Sequence, residues 1–552
     1  MTLLRRLLLP LVAALFLAGA LPPSAAMAQQ DALIPTAVPP ASPDEPPPGF
    51  RLSPNQAERI TDRLAEIRDL REEHPKMEAV VLIPTYRGVY GHWYEVVYAD
   101  GEELLADIFM NGRTGKVEQV WTGPQAATPL ARGEEPSVGR SMNKPYIWLP
   151  FAVLFLLPFI DPRRPFRLLH LDLLMLLGFG LSQIFFNRGE VEISVPLVYP
   201  FLLYLLGRLL YAGFRPRASK EPLIPYARLS WLVVGLVALV VFRVVLNAVD
   251  SGVIDVGFAS VVGADRIMHG EELYVFNEIH GDTYGPINYL AYIPFELVFP
   301  SDGTWGSVPA AHAAAITFDL LVIIGLTLLG TRLRPGTEGR KLGIALAFAW
   351  AAYPFTLLAL QSNTNDALVA ALLVGALLAL RSPPGRGVLL GLAAAAKFAP
   401  AALVPLLATG TGDEPRRTAW PRFAVAFAGI VALAIFMYLP PGGLREFWDA
   451  TLGFQLGRSS PFSPWGLEPS LQPLQEILKV AAIGLAGALA FVPRRRDLRQ
   501  VAALAGAVTI AVQLPATHWF YFYLVWIAPL ALVGCMGAYS TAPVAARAGR
   551  MD

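Results

Sequence analysis

Apolar runs of about 20 residues recur along most of this chain, from Tyr146 to the C-terminal region, and they limit the folds open to it. A run of this length can cross a lipid bilayer as an α-helix. The composition agrees, because 54% of the 552 residues are hydrophobic and 16% are charged, with a mean hydropathy of +0.47. Soluble domains usually carry about 25% charged residues. The chain is therefore predicted to be an α-helical polytopic membrane protein.

Composition also excludes several kinds of site. The single cysteine, Cys535, lies inside an apolar run, which excludes disulfides and thiolate metal clusters. The sequence shows no evident cluster of metal ligands, so neither a metal nor another cofactor is expected. The formal net charge is +1, and no basic stripe is interleaved with aromatic residues. Nucleic acid is therefore not an expected partner.

Residues 1–28 have the parts of a secretory signal. Arg5 and Arg6 precede a short apolar run, and Ala26-Met27-Ala28 resembles a cleavage site. An uncleaved membrane anchor is the alternative, and in either case the following residues leave the cytoplasm. Residues 29–49 are rich in proline and alanine and are predicted to form an extended linker.

Residues 50–125 are predicted to form a small extracytoplasmic α+β domain. Ser53, Pro54 and Gln56 are typical of a capping-box helix start, and Pro75 should end that helix. Turn signals then separate strand-like runs, at residues 79–83, 93–99, 104–110 and 116–121. One helix on a small antiparallel sheet resembles a PepSY-like domain, which implies a regulatory or binding role.

The multi-span domain is predicted to cover residues 145–540. Basic residues concentrate in cytoplasmic loops, so they orient the spans. If residues 50–125 lie outside, the polar loops 253–300 and 440–472 also lie outside the plasma membrane. About 11 spans are expected on this basis, including a pair that meets outside at residues 361–366 and others near residues 145–160, 168–187, 194–213, 228–249, 310–330, 422–439, 473–492, 499–515 and 519–538.

Residues 387–408 do not fit this alternation, because basic residues flank the segment on both sides. Lys397 and Pro400, a charge and a helix breaker, lie at its centre. A re-entrant hairpin that turns near Lys397 keeps every loop on a consistent side. A lysine buried there needs an anionic partner or water. Asp319, Asp366 and snorkelling are alternatives, and a lipid phosphate that enters between helices is the most economical partner.

Several stretches resemble GT-C glycosyltransferases. D-V-G-F-A at residues 255–259, G-E-E-L-Y at 270–274 and T-Y-G-P at 283–286 resemble the first outer loop of that superfamily. Three further stretches are similar to glycosyltransferase family 87, at residues 353–368, 391–400 and 447–466. The resemblance extends from about residue 231 to residue 529. Two features depart from the family pattern, namely Gly285, where a proline pair is frequent, and the acidic Glu271-Glu272.

The resemblance implies a GT-C-like fold that transfers a hexose, such as mannose, from a polyprenyl-phosphate donor to a hydroxyl acceptor on a glycolipid or glycan. The leaving lipid phosphate needs charge neutralisation, whereas the acceptor hydroxyl needs a base. A single base opposite the phosphate predicts inversion at the anomeric carbon. The candidate base is Asp255, the candidate phosphate ligands are Lys397, Arg458 and His518, and the candidate substrate-binding residues are Tyr284, Asp265, Asp366, Gln455 and Trp465.

Each of these assignments has an alternative. Asp255 could act only as a helix cap, and Asp250 and Asp265 are rival bases. His518 could belong to an interfacial aromatic belt, and Arg458 could be an ordinary loop charge. The aromatic candidates Tyr284 and Trp465 could anchor loops instead of contacting sugar.

Two other functions are considered. The first is a non-enzymatic transporter or sensor with its substrate site near Lys397, although no inverted repeat is evident. The second is a haem reductase, which the PepSY-like pattern raises. Such an enzyme needs paired histidines on facing spans, and the histidines here are scattered.

Overall fold

A computed structural model describes residues 37–84, 92–101, 103–123, 126, 139–274, 283–301, 308–457 and 460–541. The predicted signal and the first part of the linker lie outside the described residues. One hydrophobic core lies in an N-terminal α+β unit, and a much larger one lies among the helices that follow.

The N-terminal unit is a meander sheet covered by two helices. Its strands pair antiparallel in the order β1-β2-β3-β4-β5. The predicted capping box at Ser53 is confirmed, since Ser53 and Gln56 exchange side-chain to backbone hydrogen bonds. The elements are β1 (Ala37–Val38), α1 (Pro54–Thr61), α2 (Ala65–Glu73), β2 (Glu78–Pro84), β3 (Trp93–Asp100), β4 (Glu103–Asn111) and β5 (Val117–Thr122).

The prediction of one unbroken helix in this unit is wrong. The chain leaves the helix after Thr61 and starts a second one at Ala65. Asp62, at the break, accepts hydrogen bonds from Arg71 at 2.7 Å and from Tyr98 at 3.1 Å. These bonds join the break to the neighbouring helix and to the sheet, which favours two short helices over one long one.

Helices joined by loops make up the described part of the membrane region. Its main helices are α3 (Pro145–Leu156), α4 (Leu168–Phe186), α5 (Val191–Phe214), α6 (Leu229–Val249), α7 (Asp255–His269), α8 (Pro286–Leu290), α9 (Ile293–Glu296), α10 (Pro309–Leu333), α11 (Gly336–Ala352), α12 (Pro354–Gln361), α13 (Asp366–Leu378), α14 (Pro383–Ala396), α15 (Val404–Thr409), α16 (Arg416–Met437), α17 (Gly443–Trp448), α18 (Phe454–Gly457), α19 (Pro464–Leu467), α20 (Gln472–Ala488), α21 (Leu498–Gln513) and α22 (Leu524–Met536). Short 3₁₀ turns occur at Arg140–Asn143, Ala399–Leu403, Pro469–Leu471 and Tyr521–Tyr523.

Five of the described helices are long and apolar enough to cross a membrane, namely α4, α5, α6, α10 and α16. The pair α11 and α12 would make a sixth span, bent by 58° at the break between them. Several other apolar helices are shorter than 18 residues. A polytopic membrane protein fits this set, whereas the expected number of spans stays a prediction.

Hydrogen bonds between elements divide the helix ends into two groups. At one end, which we call the basic end, Arg167 donates to Pro222 O, Arg334 to Tyr539 O and Arg499 to Arg217 O. At the opposite end, Gly139 N–H donates to Ser362 Oγ, Gly252 N–H to Gln361 O and Trp519 N–H to Phe462 O. The grouping matches the alternation that the loop charges predict.

The predicted turn at Lys397 is present. Helix α14 ends at Ala396, and the chain then returns through a 3₁₀ turn and α15. Arg386, in the first turn of α14, donates to Leu407 O at 2.6 Å and to Ala408 O at 3.3 Å. Both feet of this hairpin therefore lie together at the basic end, and Lys397 lies at its tip. A Cβ on Gly387 would come within 2.7 Å of Phe423 O, so a small residue there lets α14 pack closely on α16.

The break between α11 and α12 leaves backbone carbonyls that need donors. Arg243 supplies one donor, because its guanidinium donates to Ala351 O at 3.1 Å. It also donates to Thr356 O, in the first turn of α12, at 3.3 Å. The same group pairs with Asp319 at 2.6 Å. Asp319, a predicted alternative partner of Lys397, is thus paired elsewhere.

Candidate active site

Lys397 and Asp366 form an ion pair at the tip of the hairpin. Lys397 Nζ lies 2.6 Å from Asp366 Oδ1, and the two side chains are 9% and 2% exposed. Asp366 is the first residue of α13, where the helix dipole stabilises a carboxylate. Of the two acids considered as partners of the lysine, the structure therefore pairs it with Asp366.

Two aromatic rings flank the ammonium group. The ring centres of Tyr284 and Trp526 each lie 5.3 Å from Lys397 Nζ, which is within the range of a cation–π interaction. Trp526 Nε1 also donates to Asp366 Oδ1 at 3.0 Å. The same carboxylate oxygen thus accepts from the lysine and from the indole.

Gly285 brings the Tyr284 loop against the hairpin. Its N–H donates to Ala396 O at 3.1 Å. A Cβ on this residue would come within 2.0 Å of Ala395 O, so the close approach requires glycine. The departure from the family's proline pair has a physical reason here, because proline has neither the N–H nor the space.

Asp255 lies on a segment joined to the loop that carries Asp366. Just before it, Ile254 N–H donates to Ser362 O at 3.3 Å. Asp255 itself is exposed, and its Oδ1 accepts the Val256 N–H at 2.8 Å. It is the first residue of α7 and not its N-cap, which is Ile254. Its carboxylate therefore stands at a helix N-terminus, at the same end of the molecule as Lys397.

A buried amide network holds α7 to this loop. Asn288 Nδ2 donates to Ser260 Oγ at 2.9 Å, and Asn365 Nδ2 donates to Asn288 Oδ1 at 2.9 Å. All three side chains are fully buried. Because Asn365 directly precedes Asp366, the network connects the helix of the candidate base to the residue that pairs with Lys397.

The two rival acids have other partners. Ser141 Oγ donates to Asp250, at the C-terminal end of α6. Asp265 Oδ1 lies 3.1 Å from His269 Nδ1 on the surface of α7. The Asp265 backbone oxygen accepts a hydrogen bond from His269 Nδ1, and this bond together with the charge of Asp265 raises the pKa of His269. In the described part of the chain, the carboxylate of Asp255 accepts only the local Val256 N–H.

Two of the remaining candidates, Trp465 and His518, belong to a second group, which we call the rim. Its members are Ser460, Phe462, Trp465 and His518. Ser460 Oγ lies 2.8 Å from His518 Nδ1, and the Trp465 indole donates to Leu514 O at 3.1 Å. Trp465 is buried, which is the geometry of a loop anchor. Gln455 is half-buried on α18, and Arg458 lies outside the described residues.

A narrow, partly open cleft lies beside the rim. It is bounded by α4, α5 and the chain around Trp519. Its lining is mostly aromatic and comprises Phe186, Ser194, Val195, Val198, Tyr199, Phe462, Trp519, Phe520 and Tyr521. Among these lining residues, only Ser194, Tyr199 and Tyr521 carry hydroxyl groups. The Tyr521 hydroxyl is hydrogen-bonded to the hydroxyls of Ser182 and Ser194, at 2.7 and 3.0 Å.

Comparison with protein families favours one of the functions considered. Residues 283–517 match the sequence model of Glycosyltransferase family 87. This family 87 segment contains Tyr284, Asp366 and Lys397, so the ion pair and one of its flanking rings lie within it. A comparison with curated proteins gives no match. The helical membrane region and the family 87 segment together support a membrane glycosyltransferase, which uses a sugar donor and an acceptor.

Several residues of the candidate site lie outside the family 87 segment. Asp255, Ser260 and Asp265 precede it, and His518 and Trp526 follow it. Trp526 was not among the residues predicted from sequence, since one more aromatic residue in an apolar run is typical of a membrane helix. The only signal near it is the cluster of aromatic residues that starts at Trp519.

The arrangement can do two things chemically. The ammonium group of Lys397, shielded from water, can neutralise an anion. The exposed carboxylate of Asp255 can accept a proton. Both groups lie at the end of the molecule opposite the basic end, and segments that are hydrogen-bonded to each other position them.

Proposed function

We propose that the protein transfers a hexose, mannose or a similar sugar, from a polyprenyl-phosphate donor to a hydroxyl group of a glycolipid or glycan, outside the plasma membrane. The observation that carries this proposal is the buried Lys397–Asp366 pair at the hairpin tip, on the same end of the molecule as Asp255. A cation among apolar helices suits an anion that reaches it through the lipid phase. The family 87 match supports glycosyl transfer itself.

In the proposed reaction, the acceptor oxygen forms a bond to the anomeric carbon while the bond from that carbon to the phosphate oxygen breaks. Asp255 takes the proton of the acceptor hydroxyl. The electron pair of the broken bond stays on the polyprenyl phosphate, whose negative charge Lys397 stabilises. Attack from the face opposite the phosphate inverts the anomeric configuration.

A polyprenyl-phosphate donor and its acceptor would meet several of the other candidate residues. Lys397, with Arg458 and His518, would contact the phosphate, and Tyr284 and Gln455 are candidate sugar contacts. Asp265 stays a candidate substrate contact at the surface of α7, and Trp465 would support the rim. The N-terminal unit, predicted to be PepSY-like, would lie outside as a regulatory part.

The test is Asp255→Asn in the full-length protein, assayed in membranes with a radiolabelled polyprenyl-phosphate hexose. Loss of the base should lower the transfer rate by about 100-fold or more. Lys397→Ala should raise the apparent KM for the donor more than that for the acceptor, because the lysine contacts only the donor.

Asp449→Asn is the matched control, because Asp449 is an exposed acid of the same end with 67% of its side chain accessible. It should leave the transfer rate unchanged. Normal transfer by the Asp255 variant would refute the base assignment. If Asp250→Asn or Asp265→Asn abolishes transfer instead, the base is that residue.

A further inference from the structure

The charge of Lys397 is neutralised by a buried carboxylate. Asp366 Oδ1 lies 2.6 Å from its Nζ, and both side chains are almost fully buried. A phosphate group that approaches this pair meets no net charge. Lys397 can therefore attract an anion strongly only after its ion pair with Asp366 has separated.

Asp366 has other stabilising contacts that remain when the lysine leaves. Trp526 Nε1 donates to the same oxygen at 3.0 Å. Asp366 is also the first residue of α13, where the N-terminal end of the helix dipole favours negative charge. The carboxylate would thus keep two favourable interactions without Lys397.

The surroundings of Lys397 allow its ammonium group to move away from Asp366. It follows the last residue of α14 in an extended backbone conformation, and its four-carbon stem ends in a compact charge. The rings of Tyr284 and Trp526 flank the ammonium group at equal distances of 5.3 Å. A cation moving over aromatic faces stays stabilised away from its carboxylate.

We infer that Asp366 is the resting counter-ion of Lys397, and that the donor phosphate replaces it when the substrate binds. This inference rests on the proposed function, in which Lys397 contacts that phosphate. Asp366 is then a positioning residue that holds the lysine and competes with the ligand. Trp526 assists the exchange by holding the released carboxylate.

The counter-ion role predicts opposite effects for two neighbouring variants. Asp366→Asn removes the competing charge, so phosphate should bind more tightly. Trp526→Phe keeps a ring beside Lys397 but removes the N–H that would hold the released carboxylate, so phosphate should bind more weakly. A direct role of Asp366 in holding substrate predicts weaker binding for Asp366→Asn.

The experiment measures equilibrium binding of a tritiated polyprenyl phosphate to the full-length protein in lipid nanodiscs, with the uncharged polyprenol as reference. We expect Asp366→Asn to bind the phosphate about tenfold tighter than the wild type, the effect of one charged interaction. Trp526→Phe should bind it about threefold more weakly. Lys397→Met should abolish the preference for phosphate over polyprenol.

The outcomes separate this inference from the proposed function. If the wild type prefers phosphate through Lys397 and Asp366→Asn binds equally or more weakly, the counter-ion role is overturned and the proposed function stands. If the wild type shows no Lys397-dependent preference, both fail. Should Asp366→Asn not fold, Trp526→Phe decides, since unchanged or tighter binding by that variant contradicts the exchange.

Discussion

Gly285 shows at the scale of one residue how the site depends on close backbone contact. The Tyr284 loop reaches the hairpin only because no side chain stands between Gly285 and Ala395 O. The backbone hydrogen bond to Ala396 O then fixes the loop beside Lys397. Extra volume at this position would move the ring of Tyr284 away from the ammonium group.

We expect Gly285→Ala to destabilise the packing by about 1–3 kcal/mol and to lower the transfer rate by about tenfold or more. The check is the transfer rate, together with the apparent melting temperature in detergent. Gly429→Ala is the matched control, because a Cβ on Gly429 meets no atom within 4 Å. Equal behaviour of the two variants would contradict the close approach.

At the scale of single residues, the sequence shows that a buried charge needs a partner, but it does not show which residue is that partner. A charge beside a helix breaker in an apolar run indicates that Lys397 needs a partner. Asp319 and Asp366 are both acids in apolar surroundings, and their positions in the chain do not show which of them pairs with Lys397. The structure shows that Arg243 binds Asp319, which leaves Asp366 for the lysine. Arg243 lies inside an apolar helix, and nothing in the sequence links it to that acid.

The hairpin is an element whose two feet are tied by one side chain. Arg386 donates to Leu407 O and Ala408 O at the end of α15, and to Leu380 O just after α13, at 2.7 Å. Without it, these carbonyls would lack a donor in an apolar setting, which costs about 1–3 kcal/mol for each group. The hydrogen bonds of Arg386 at the base of the hairpin should therefore stabilise the position of Lys397 at its tip.

Arg386→Met is expected to lower the apparent melting temperature by several degrees and to reduce transfer, although Arg386 lies far from the site along α14. Thermal unfolding in detergent and the transfer assay measure the two effects. Arg381→Met serves as the control, because Arg381 is an exposed arginine in the loop just before α14. A melting temperature equal to that of the control would show that Arg386 does not tie the hairpin.

Loop charges predict that residues 387–408 turn back, since basic residues lie on both sides of the segment. The bend between α11 and α12 is not predicted in this way. Tyr353-Pro354 suggests an interruption, but its cost depends on donors from another helix. Similarly, Pro75 suggests where a helix ends in the N-terminal unit, whereas the break after Thr61 follows from contacts of Asp62 with Arg71 and Tyr98.

For the whole molecule, the hydrogen bonds give the relative position of the helix ends, and the charge rule predicts their orientation in the membrane. The proposal places the site outside the cell and the basic end in the cytoplasm. Loop charges suffice for this prediction because each loop contributes independently. The number of spans is harder to predict, since several apolar helices are shorter than 18 residues.

Single-cysteine labelling tests the orientation. The parent is Cys535→Ser, because Cys535 is buried and is the chain's one cysteine. In intact cells, a membrane-impermeant maleimide should label Arg445→Cys, whose side chain is 91% exposed in the wild type. It should label Arg495→Cys, at the basic end, only after permeabilisation. The reverse pattern would place the candidate site in the cytoplasm.

The charged centre of the site is assembled from parts that are made at different times. Lys397 and Asp366 are 31 residues apart, so the pair can form as soon as the hairpin has been synthesised. Trp526 donates a hydrogen bond to the same carboxylate but is 160 residues away from Asp366 in the sequence. It lies in α22, the last described helix of the chain. A chain that stops before α22 would have the ion pair without the indole of Trp526, so the site is complete only after α22 has been synthesised.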